Sequence, residues 1–128
     1  MSDAPIDDAD LPPPSLDAAA LGRLRELDPD GRHGVLSRVL TAFETSLARM
    51  LVQLQSESGR GDPEVVRGIA HTLKSSSASV GALALARACG EVERRLRDGQ
   101  HDDVCADAGR LAIEAQRALQ AVGAMLRT

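Results

Sequence analysis

Between residues 36 and 54, apolar side chains recur in steps of four, three, four, three and four: Leu36, Leu40, Phe43, Leu47, Met50 and Leu54. Such steps hold side chains on one stripe of an α-helix, with polar residues such as Arg38, Glu44 and Arg49 on the rest of its surface. A helix with one apolar stripe must bury it against other helices or a sheet. Phe43 is the only aromatic residue, and there is no Trp or Tyr. β-branched and aromatic residues are scarce while helix formers dominate, which disfavours a sheet. The core must therefore be built from Leu, Val, Ile, Ala and Met, between helices.

The same periodicity predicts the other elements. A short helix is expected over about Leu16 to Leu27, with Ala20, Leu24 and Leu27 at helical spacing. Asp28-Pro29-Asp30-Gly31 then makes a turn. The second helix, with the stripe described above, is expected to end before Gly59-Arg60-Gly61. Asp62, Pro63 and Glu64 form a start signal for a third helix: a capping carboxylate, a proline at the first position and an acid near the positive end of the dipole. This helix should run to Val80, where Gly81 permits a turn. A fourth carries Leu85, Cys89, Val92 and Leu96 on one stripe and closes at Gly99. A fifth starts near Asp102 or Asp103 and reaches about Leu126, with Val104, Ala108, Leu111, Ala115, Leu119, Val122 and Leu126 inward. Short connections imply antiparallel neighbours. The expected fold is all-α, an antiparallel up-down four-helix bundle with a short extra N-terminal helix.

The 128 residues suit one domain, large enough for a core without disulfides. Residues 1–14, with scattered Asp and the run Pro12-Pro13-Pro14, read as a disordered leader, leaving 15–126 as the domain. A net charge of −4 offers no basic excess for nucleic acid. No apolar run nears the roughly 20 residues of a membrane helix. The start Met1-Ser2-Asp3-Ala4-Pro5 lacks a signal peptide's basic and apolar stretches, so a cytoplasmic place is expected. Cys89 and Cys105 fit no metal or redox spacing and read as reduced thiols, Cys89 in the core and Cys105 partly buried. Arg60-Gly61-Asp62 reads as a capped loop rather than an adhesion motif.

The third helix carries the functional argument. With Val66 at zero and about 100° per residue, Ile69, Leu73, Ser76 and Val80 fall at about 300°, 340°, 280° and 320°. His71 falls at about 140°, on the opposite side, and so faces water. Gly68, Ser75 and Ala78 beside it are small, while Arg67 and Lys74 are basic at i−4 and i+3. An exposed imidazole ordinarily titrates at about pH 6.5, and so is largely neutral and nucleophilic in the cytosol. Phosphoryl transfer asks for in-line approach and charge stabilisation, which a lysine one turn away can supply. His33 and His101 sit near loops without an organised face and receive no role.

The run Ala70-His71-Thr72-Leu73-Lys74-Ser75-Ser76-Ser77-Ala78-Ser79-Val80-Gly81-Ala82 resembles the signature of histidine-containing phosphotransfer (HPt) domains: His-x-Leu-Lys-Gly, small residues, then Gly-Ala. Leu83 to Glu93 resembles the family's next helix, and Leu16-Asp17 and the Phe43 helix its entry, so the likeness spans roughly residues 15–126. The resemblance implies that His71 is the phosphoacceptor and Lys74 its electrostatic neighbour. It implies partners in the receiver domains of hybrid sensor kinases and response regulators, which supply the catalytic pocket and the Mg²⁺, with no cofactor in this chain. Arg67, Gly68, Ser75 and Ala78 are the expected docking residues, on a monomer read as a freestanding shuttle; the alternative is a piece of a larger hybrid kinase. Ser75 departs from the family's usual glycine.

Three other functions compete. A kinase is disfavoured because no Gly-x-Gly-x-x-Gly or Walker loop is present; Glu64 stands where the third glycine would be. A metal-binding bundle needs inward Glu-x-x-His pairs, and there are none. A scaffold that docks on receivers without transfer is the closest rival, and His71, Lys74 and the small-residue face weigh against it.

Overall fold

Two aspartates start helices as their chemistry dictates. In the computed structural model, which describes residues 14–128, the Asp17 carboxylate accepts from the Ala20 amide at 3.0 Å and opens α1 (Ala18–Glu26). The Asp62 carboxylate accepts from the Glu64 amide at 3.0 Å and opens α3 (Pro63–Val80), with Pro63 in its first turn. The remaining helices are α2 (Val35–Arg60), α4 (Leu83–Arg97) and α5 (Val104–Leu126). Except for Pro14, the expected leader lies outside the described residues.

The architecture is the expected one. Helices α2 to α5 run up and down around one core, α2 packing chiefly on α5 and α3 chiefly on α4, and α1 lies against α2 and α3. Leu40, Leu47, Leu54, Val66, Leu73, Val80, Leu85, Val92, Leu111 and Val122 are the large apolar side chains most fully buried. Among the described residues, no helix is long and apolar enough to cross a membrane.

Four details differ from the sequence reading. First, α2 continues through Gly59 to Arg60, because Gly61, not Gly59, takes the left-handed conformation (φ +69°) that ends the helix. Second, α1 is shorter than Leu16 to Leu27: Leu21 is buried with Ala20, whereas Leu27 caps the helix and is 68% exposed. Third, on α3 the inward serine is Ser77, fully buried, while Ser76 is half-exposed; Ala70, also buried, turns the stripe's centre toward Ser77. Fourth, Leu119 and Leu126 pack against the core as expected but stay half-buried, while Ala118 and Ala121 are the more deeply buried.

The turn between α3 and α4 fixes the entry of α1. Gly81 sits at φ +84°, and its carbonyl accepts from the Asp17 amide at 2.9 Å. A Cβ at position 81 would lie 2.6 Å from that nitrogen, so the close approach needs glycine.

Candidate functional site

His71 lies midway along α3, on the side opposite Val66, Ile69, Ala70, Leu73, Ser77 and Val80. Packing that stripe forces the imidazole outward, and its side chain is 73% exposed. Gly68, Ser75 and Ala78 are exposed around it, with open space above the Gly68 backbone. The outer face is low ground with one protruding ring, as expected from the helical spacing.

The charges are arranged differently from the expectation. Arg67 does not turn to His71; its guanidinium pairs with Glu64 one turn back, at 3.3 Å. Lys74 leans toward α4, over Gly90, and its Nζ donates to Glu93 Oε1 at 2.6 Å. The other oxygen of the same carboxylate, Oε2, is 2.5 Å from His71 Nδ1. One acid on α4 therefore bridges the imidazole and the lysine of α3.

Glu93 was not among the residues singled out from sequence. A signal was available. It stands four residues after Cys89 and three before Leu96, on the apolar stripe of α4, where a carboxylate is costly to bury unless it is paired. Its side chain is only 10% exposed. The Lys74 ammonium holds its carboxyl below the usual range; burial opposes this, and the bond from His71 adds to it. Glu93 is thus ionised at neutral pH and can only accept hydrogen bonds. Nδ1 of His71 must carry the proton toward it, and Nε2 of the neutral ring keeps the free lone pair.

Beneath this group, Cys89 is fully buried. Burial first, then the negative charge of Glu93, push its thiol up to about 12, so it is a packing residue and not a nucleophile at neutral pH. Cys105 is half-buried against Gly61. His33 and His101 lie far along the chain from this site, the His101 ring Nε2 3.2 Å from the Leu96 carbonyl. Among the described residues, no three His, Cys, Asp or Glu side chains gather as a metal-ligand group.

Such a site can offer one unprotonated ring nitrogen to an incoming electrophile. It can balance positive charge on the ring through Glu93 and negative charge on an added group through Lys74.

The family model described as the Hpt domain matches residues 38–124, well over half of the chain. Among solved structures, the chain is similar to histidine-containing phosphotransfer protein B from Pseudomonas aeruginosa PAO1. The TM-score is 0.73 and the identity 25%, and the match covers 89% of this chain and 96% of that one. Comparison with curated protein sequences gives no match.

Proposed function

The chain belongs to the Hpt domain family, and on that premise we propose that His71 relays a phosphoryl group between the aspartates of two receiver domains. The observation that carries this reading is the bridge from Glu93 to His71 Nδ1, which leaves Nε2 as the nucleophile on an exposed, low surface.

In the proposed step, a phospho-aspartyl receiver docks over α3 with its phosphorus in line with Nε2. The Nε2 lone pair forms the N–P bond as the P–O bond to the aspartate breaks, and its electrons return to the aspartyl carboxylate. The ring then carries a positive charge, with its Nδ1 proton still held by Glu93. Lys74 can shift from Glu93 toward the phosphoryl oxygens, since both acceptors lie within the sweep of one flexible side chain. Transfer onward is the same step reversed, with a second receiver's aspartate as nucleophile. The protein supplies positioning and charge, and the receiver supplies the pocket and the Mg²⁺.

A panel of purified receivers, each carrying labelled phosphoryl, tests the reading. Wild type should take label from at least one of them and pass it to another, and His71→Gln should take none. Uptake of label by His71→Gln would contradict it. Incubation with labelled ATP alone should leave the protein unlabelled.

A further inference from the structure

Arg38, Arg49 and Arg60 stand eleven residues apart along α2. Eleven residues make three turns and about 20°, so the three form one row about 33 Å long. All three are exposed, and among the described residues none pairs with a carboxylate. The two acids of α2 do not reach the row. Glu57 is buried, and accepts from the Asp62 amide at 2.9 Å. Glu44 is half-buried, about 140° around the helix from Arg49. In a chain of net charge −4, this is a helix face with cations alone.

The row lies on the α3 flank of α2, away from α5, with the exposed small residues of α3 between it and His71, whose ring turns toward Glu93 of α4. Glu57 marks the flank of α2 toward the start of α3, and Ser58, beside Gly109, marks the flank toward α5. The three arginines lie within about 100° of Glu57 and about 160–180° from Ser58. Arg49 is eleven residues before Arg60 and Lys74 eleven after Pro63, so across the two-residue connection they stand level. Between them lie Gly68, Thr72 and Ser75, with nothing tall to block approach. On the other flank, toward α4, Arg67 and Lys74 rise from α3, and Arg87 and Arg94 share their helix face with Glu91 and Asp98.

We propose that the arginine row of α2 steers and selects the receiver, taking the acidic rim of its Mg²⁺-binding face as that face settles over His71. The inference rests on the proposed function. The occupant follows from charge complementarity: Mg²⁺ is held by carboxylates, so the face that presents a receiver's aspartyl phosphate is rich in acids. Long-range attraction of this kind acts on the encounter rate and is weakened by salt.

The test is the second-order rate of label transfer from a phosphorylated receiver that labels wild type, measured from low to high salt, with the transfer step inside the saturated complex measured separately. The triple variant R38E/R49E/R60E should lose roughly 10- to 100-fold of the second-order rate at low salt and much of the salt dependence, with the step inside the complex unchanged. The triple arginine-to-lysine variant should keep both near wild type. The R87E/R94E variant of α4 should stay within about twofold of wild type, since its helix face already carries mixed charge. Helicity and Tm of each variant confirm folding; should the triple charge reversal fail to fold, Arg49→Glu alone should still show a loss of the same kind. A wild-type rate and salt slope in the reversed variants, or an equal loss in R87E/R94E, would overturn the proposal. If wild type takes label from no receiver at any salt, the proposed function itself fails, and this inference with it.

Discussion

Glu93, from the middle of α4, closes on His71 of α3 at 2.5 Å, although the two are 22 residues apart in the chain. That bond settles which ring nitrogen is free, and the same carboxylate holds Lys74. In the proposed step, Glu93 positions the nucleophile without touching the phosphoryl group. A charge-assisted hydrogen bond is worth roughly 1.5–3 kcal/mol, or about ten- to a hundredfold in rate. Glu93→Ala should slow phosphoryl uptake by that order and shift the His71 ring toward the Nε2–H tautomer, read by ¹⁵N NMR. Glu93→Gln keeps an acceptor for Nδ1 and should retain the tautomer while losing rate. A Glu93→Ala protein with the wild-type tautomer would contradict this role.

Low ground beside the ring matters if a second protein must reach it. Ser75 and Gly68 are exposed one turn to either side of His71. Ser75→Gly should keep or raise the transfer rate, and Ser75→Leu should block transfer while leaving the fold intact, since the new side chain projects into solvent. Equal rates for wild type and Ser75→Leu would count against docking on this face.

Stability should report the Glu93 carboxyl as well. Its pKa is lowered in the folded protein, chiefly by the bond from Lys74. The stability it contributes is present above the unfolded value of about 4.3 and is lost as pH falls through the lower folded value. Asp107 has the opposite sign, because burial raises its pKa despite the bond from Arg95; its cost is present at neutral pH and is relieved by acid. In urea unfolding, the gap between wild type and Glu93→Gln should narrow between about pH 7 and about pH 3. A gap that is constant with pH would contradict the pairing.

Ser77 offers a test of packing apart from function. Its side chain is fully buried, and its hydroxyl has no hydrogen-bond partner among the described residues. An unsatisfied buried polar group costs about 1–3 kcal/mol, and alanine is also the better helix former. Ser77→Ala should raise the unfolding free energy by about 1 kcal/mol, measured by denaturant titration. A loss of stability would show that the hydroxyl is satisfied.

The helices were legible because their apolar steps are regular, and the caps at Asp62 and Gly81 because their chemistry is local. His71 was legible for the same reason, being on the wrong side of a stripe to be core. Glu93 was not, because its partners come from another helix, and periodicity within α4 says only that the position is inward. A carboxylate at an inward position was the clue. Arg67 turns to Glu64 rather than to His71 because spacing puts both within its reach, and the competition between them is decided by geometry. The serine assignment slipped by one residue because the stripe was centred without Ala70.

The most direct test is the site of the phosphoryl group itself. In protein phosphorylated by a receiver, heteronuclear NMR of the imidazole should show phosphorus coupled to Nε2 of His71, with Nδ1 still protonated toward Glu93. Phosphorus on Nδ1, or on any other residue, would contradict the account.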